Sequence, residues 1–138
     1  MSGEVYPTMV QDGAAYPTIL VVDDSEDTRL VLRLALGAKG YHVLEARDGE
    51  EAVEVARRQC PDLILMDLNM PLMDGLEATR RIRECKELCQ SAPILAITAF
   101  DTYGIEEAAL EVGCNGYIRK PLDGDEVDRV LRSFLPTW

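Results

Sequence analysis

Leu63-Ile64-Leu65-Met66-Asp67 is a run of four apolar residues closed by a carboxylate, and its form recurs along the chain. Ile19-Leu20-Val21-Val22 runs into Asp23-Asp24, and Ile94-Leu95-Ala96-Ile97 ends on Thr98. Gly116-Tyr117-Ile118-Arg119 is followed by Lys120-Pro121. Unbroken apolar runs of this length are the pattern of parallel strands covered by helices on both faces. In an open parallel sheet the functional groups collect beyond the carboxyl ends of the strands. Three carboxylates, one hydroxyl and one ammonium are therefore expected on one edge, a set suited to Mg²⁺ and a phosphoryl group.

Around these runs the chain alternates strand and helix five times. A strand over 18–22 leads to a helix over 26–39, with Leu30, Val31, Leu34 and Ala35 expected inward and Gly40 as its stop. A strand over 42–46 follows, then a helix capped by Asp48 and running to Gln59, with Ala52, Val53 and Ala56 inward. Pro61 breaks the chain before the strand over 63–67. The third helix is expected over 75–88, with Leu76, Thr79, Ile82 and Arg83 at helical spacing. A strand over 94–98 leads to a helix over 103–112, weakened by Gly104 near its start. Gly113 and Gly116 bracket the turn into the last strand, and a helix over 123–134 presents Val127, Val130, Leu131 and Phe134. Five such units give an α/β fold, a doubly wound five-stranded parallel sheet of order 2-1-3-4-5, the flavodoxin-like arrangement.

The 138 residues make one domain with room for a core. Residues 1–17 read as a flexible N-terminal extension, 18–135 as the domain and 136–138 as a tail. In the extension, Tyr6-Pro7-Thr8-Met9-Val10 nearly repeats Tyr16-Pro17-Thr18-Ile19-Leu20. The repeat is either coincidence or a spare strand able to join a sheet edge. Twenty-five acidic against 14 basic residues leave a net charge of −11, which repels nucleic acid phosphate and argues against DNA or RNA as a partner. There is no apolar stretch for a membrane span and no signal-peptide pattern, so a cytoplasmic location is expected. Cys60, Cys85, Cys89 and Cys114 form no C-x-x-C pair and are expected as free thiols.

Asp67 ends the central strand and is the candidate nucleophile, with Asp23 and Asp24 facing it from the adjacent strand. Three crowded carboxylates repel one another unless a cation joins them, and Mg²⁺ is a hard ion that takes oxygen ligands. Lys120 offers a positive charge and Thr98 a hydroxyl donor to phosphoryl oxygens. Ala99 leaves a phosphodonor room to approach, and Pro121 is compatible with a cis peptide after Lys120. Asn69 and Phe100, each two residues past a strand end, are expected on the rim.

The stretch from about Thr18 to Leu135 resembles the receiver domain of two-component response regulators. The resemblance is carried by Val21-Val22-Asp23-Asp24-Ser25, by Leu65-Met66-Asp67-Leu68-Asn69-Met70-Pro71-Leu72-Met73-Asp74-Gly75, by Thr98-Ala99, and by Gly113 to Pro121. It implies that Asp67 is the phosphoacceptor, served by a histidine kinase or a histidine phosphotransfer protein. It also implies that Asp24, Asp67 and the carbonyl of Asn69 bind Mg²⁺ directly, with Asp23 acting through a metal-bound water. Thr98 and Lys120 would contact the acyl phosphate, and Tyr117 would be a rotameric switch coupled to Thr98. Output is expected on the face of the fourth helix, fifth strand and fifth helix, with Tyr103 beside Tyr117. Cys114 departs from the small residue usual at its position, and the extension is longer than the family needs.

Three rival readings remain. A haloacid-dehalogenase-type hydrolase also uses a strand-end Asp and Mg²⁺, but Asp67-Leu68-Asn69 lacks its second Asp and the length leaves no cap domain. An inactive receiver that only binds a partner is opposed by the complete set of site residues. With only Pro136-Thr137-Trp138 after the domain, the chain reads as a free-standing regulator or as a receiver excised from a hybrid histidine kinase, and Met1 with the N-terminal extension favours the first.

Overall fold

The computed structural model describes residues 16–70, 74–85, 91–99 and 104–135. Five strands, β1 (Thr18–Val22), β2 (His42–Ala46), β3 (Leu63–Asp67), β4 (Ile94–Thr98) and β5 (Gly116–Arg119), alternate with five helices. The helices are α1 (Glu26–Ala38), α2 (Gly49–Gln59), α3 (Gly75–Glu84), α4 (Ile105–Val112) and α5 (Gly124–Phe134). All strand pairs are parallel, and the order is β2-β1-β3-β4-β5, as the run pattern predicts.

The two-residue period of a strand divides each apolar run between two cores. Leu20, Val22, Ile64, Met66, Ile94 and Ala96 face α2, α3 and α4, where Ala52, Ala56, Ala78, Ile82 and Ala109 meet them. Ile19, Val21, Leu63, Leu65, Leu95, Ile97 and Ile118 face α1 and α5, which contribute Leu32, Leu36, Val127 and Leu131. Alanine-bearing helices on one side and leucine-bearing ones on the other thus bury both faces of the central strands β1, β3 and β4, while the edge strands β2 and β5 stay part-exposed.

Most helix starts are fixed by a side chain that accepts an orphan backbone N–H. Ser25 caps α1 through Thr28 N (3.2 Å), Asp48 caps α2 through Glu51 N (2.8 Å), and Asp74 caps α3 through Glu77 N (2.9 Å). Asp123 caps α5 through Asp125 N (2.8 Å), whereas Gly104 gives α4 no side-chain cap.

Two expectations need correction. The buried face of α1 is Leu32 and Leu36, while Leu30, Val31 and Leu34 are 40%, 59% and 63% exposed. Six of the seven residues from Leu30 to Leu36 are apolar, so they wrap the helix and its own period does not choose a face. The sheet chooses it. The third helix ends at Glu84 rather than Leu88, because Cys85 turns to an extended conformation and its N–H bonds Ile82 O. Phe100, Tyr103, Cys89 and the N-terminal repeat Tyr6 to Val10 lie outside the described residues. Cys60, Cys85 and Cys114 are free thiols. Among the described residues no helix is long and apolar enough to cross a membrane.

Candidate functional site

Parallel pairing brings the carboxyl ends of β1, β3, β4 and β5 side by side, and the winding reverses between β1 and β3. Asp23 and Asp24 follow β1, Asp67 ends β3, Thr98 ends β4 and Lys120 follows β5. Carboxylate oxygens of Asp23, Asp24 and Asp67 lie within 4.8 Å of one another. Asp23 and Asp67 are each 1% exposed, and Asp24 opens to solvent. Lys120 Nζ stands 3.5 Å from Asp23 Oδ2 and 3.6 Å from Asp67 Oδ2. Its own N–H is held by Thr98 O at 2.9 Å, and the Lys120–Pro121 peptide bond is cis.

Burial pushes the Asp67 carboxyl up to about 6, opposed by the Asn69 N–H that donates to its Oδ1 at 3.0 Å. The Asp23 charge raises it further, Lys120 lowers it, and Asp24 raises it again. Two carboxylates at 4.8 Å repel by about 3.5 kcal/mol at an effective dielectric constant near 20. One ammonium does not neutralise three such groups. Asp23 Oδ1 is satisfied by Ser25 N–H at 2.8 Å, but its buried Oδ2 has no hydrogen-bond partner. An all-oxygen donor set with surplus negative charge and an orphaned buried oxygen fits a hard divalent cation such as Mg²⁺.

Of the remaining residues, Thr98 is buried beside Asp67, whose strand partner is Ile97. Asn69 is exposed at the rim and contributes its backbone N–H. Tyr117 lies on β5 opposite Ala96 and is 43% exposed, away from the carboxylates at the strand end. Two supports of the site have no periodic signal in the sequence. A Cβ on Gly75 would come within 2.3 Å of Asp67 O and 2.8 Å of Leu68 Cα, so α3 starts against the backbone of the β3 end. Asp-Gly at a helix start was the only hint. Arg29, on α1, donates to the carbonyl of Asp23 at 2.7 Å. A cleft of about 310 Å³ opens beside the site between Asp27, Thr28, Val31 and Leu32 of α1 and Lys120, Pro121 and Leu122.

Residues 19–132 match the family model described as the response regulator receiver domain. The chain is 36% identical over 118 residues to the polar-differentiation response regulator DivK of Brucella ovis, an alignment spanning 86% of this chain and 95% of that one. The chemotaxis protein CheY4 of Vibrio cholerae superposes with a TM-score of 0.83 at 31% identity, over 88% of this chain and 100% of that chain. The receiver domain of the sensor histidine kinase PA1611 from Pseudomonas aeruginosa, solved with a magnesium ion coordinated in its active-site cleft, superposes with a TM-score of 0.79. It is 38% identical, over 87% of this chain and 98% of that chain. With strand order, acidic strand ends and sequence in agreement over most of its length, the chain belongs to the response regulator receiver family, the signalling modules of two-component systems.

Proposed function

We propose that this receiver accepts a phosphoryl group on Asp67 from a phosphohistidine, in a Mg²⁺-dependent reaction, and that the transfer changes the face it offers to an output partner. The observation that carries the reading is the buried Asp23–Asp67 pair, with Asp24 at its mouth and Lys120 Nζ within 3.6 Å of both buried carboxylates. Asp24, Asp67 and the Asn69 carbonyl would hold the cation, supported by Asp23. Bound there, the cation supplies positive charge that neutralises the carboxylates and the incoming phosphoryl oxygens.

Asp67 must be ionised to attack. A carboxylate oxygen forms a bond to phosphorus, the phosphorus–nitrogen bond of the donor breaks, and the imidazole leaves with its electron pair, taking a proton as it departs. Lys120 and the Thr98 hydroxyl take positions to donate to two phosphoryl oxygens, adding stabilisation where charge spreads in the transition state. The donor would be a histidine kinase or a histidine phosphotransfer protein, and the cleft beside Lys120 gives it an apolar wall at Val31. Thr98 drawn toward the new phosphoryl group would free space for Tyr117, so that a local charge is read as repacking on the α4-β5-α5 face. The protein catalyses only its own phosphorylation and dephosphorylation.

Incubation with acetyl phosphate and Mg²⁺ should add one phosphoryl group, and EDTA should abolish the addition. Stoichiometric labelling in EDTA would refute the reading.

A further inference from the structure

Asp23 is held by its backbone from two directions, and both holds run to the edge strand β2. Its N–H donates to Ala46 O at 3.1 Å. Its carbonyl accepts from Arg29 Nη1 at 2.7 Å, and the same guanidinium donates through Nε to Glu45 Oε1 at 3.1 Å. Arg33, one turn along α1, binds the other Glu45 oxygen at 3.0 Å. Glu45 and Ala46 are neighbours on β2, opposite Val21 and Val22. The Arg29 side chain is only 14% exposed, so its contacts are sheltered from solvent competition, while Arg33 is half exposed.

We infer that Arg29, oriented by Glu45, is a positioning residue for cation binding: it fixes the Asp23–Asp24 peptide and so sets the aim of the Asp24 carboxylate. This rests on the Mg²⁺-dependent reading above. The Asp23 carbonyl and the Asp24 N–H share one rigid plane, so a hold on the carbonyl is a hold on the entry to Asp24. Without Arg29 a part-buried carbonyl loses its donor and turns toward water, carrying Asp24 with it. The rigid fork of a guanidinium reaches two acceptors that diverge, a carbonyl on α1's own loop and a carboxylate on β2. A lysine ammonium at the same position is a point charge on a flexible stem.

A purely electrostatic role predicts the opposite sign. Arg29 is a cation close to the acidic cluster, so removing its charge would tighten Mg²⁺ binding, and a lysine would restore the wild-type value. Positioning predicts that both replacements weaken it.

The test is a calorimetric Mg²⁺ titration of the full chain, wild type, Arg29→Met, Arg29→Lys and Glu45→Gln, with melting in EDTA to confirm folding. The Met and Lys variants should each bind Mg²⁺ about 10-fold more weakly, the lower end of the range for partners that orient metal ligands. The Mg²⁺ concentration giving half-maximal labelling by acetyl phosphate should rise by the same factor. Glu45→Gln keeps an oxygen acceptor for Arg29 and should bind Mg²⁺ more tightly than either Arg29 variant. Should Arg29→Met fold too poorly to titrate, Arg29→Lys alone decides the sign. Lower melting temperatures with unchanged Mg²⁺ binding, or wild-type affinity in the lysine variant, would overturn the inference. A wild type that binds no Mg²⁺ would instead overturn the reading beneath it.

Discussion

Replacing Asp67 by Asn should stabilise the metal-free protein, although it removes the residue on which the proposed chemistry depends. Burial and the neighbouring Asp23 charge raise this carboxyl from 3.8 to about 6, so at neutral pH the folded chain holds the ionised group at a cost that the unfolded chain does not bear. That displacement corresponds to ~3 kcal/mol. Asn69 N–H keeps an acceptor in the asparagine Oδ1, but the new amide N–H₂ meets Lys120, so the net gain expected is about 1–3 kcal/mol. For a chain of this size that is roughly 3–10 °C in melting temperature. The sign follows from linkage. Between about 3.8 and 6 the native wild type binds more protons than the unfolded chain, so this group's contribution is present below 3.8 and is lost as pH rises through 6. Melting of both proteins in EDTA at a series of pH values from 4 to 8 should therefore show curves that nearly meet at the acid end and separate up to pH 6 and above. Added Mg²⁺ at ten times its dissociation constant should return ~1.4 kcal/mol to the wild type and less to the mutant. Equal melting temperatures at pH 7.5 in EDTA, or a less stable mutant, would refute the claim that Asp67 is held ionised against its surroundings.

Gly75→Ala should destabilise the fold by about 2–4 kcal/mol, because its Cβ meets the backbone of Asp67 and Leu68 rather than a movable side chain. The gain in helix propensity, at most about 1 kcal/mol, does not offset this, and a melting temperature at or above wild type would contradict it. Tyr117→Ala should leave acetyl phosphate labelling intact while removing the change in hydrogen exchange over 105–119 that the phosphoryl mimic beryllofluoride produces in the wild type. A full wild-type response in that variant would show that Tyr117 is not the relay.

The three central strands β1, β3 and β4 were legible because each is buried on both faces and closed by a polar residue, so run length and terminator mark the element without any need for alternation. The same terminators located Asp23, Asp24, Asp67, Thr98 and Lys120, since parallel order alone brings strand ends together. The inward face of α1 was not legible. Leu30, Val31, Leu32, Leu34, Ala35 and Leu36 leave no polar stripe to mark the outside, and packing against β1 and α5 decided for Leu32 and Leu36. Nor was the end of α3, where neither Gly nor Pro follows Glu84 before Pro93 and only the turn at Cys85 stops the helix. The reach of Arg29 to the Asp23 carbonyl and the seat of Gly75 on the Asp67 backbone are contacts to main-chain atoms. Such contacts carry no periodicity and become visible only once the elements are placed.

Locating the phosphoryl group tests directly whether Asp67 is the acceptor. The full chain would be phosphorylated with acetyl phosphate and Mg²⁺, reduced with borohydride to convert an acyl phosphate to homoserine, digested, and sequenced by mass spectrometry. Homoserine is expected at position 67 alone, absent when EDTA replaces Mg²⁺ and absent in Asp67→Asn. Homoserine at Asp23 or Asp24 in the wild type, or undiminished labelling of Asp67→Asn, would contradict that assignment.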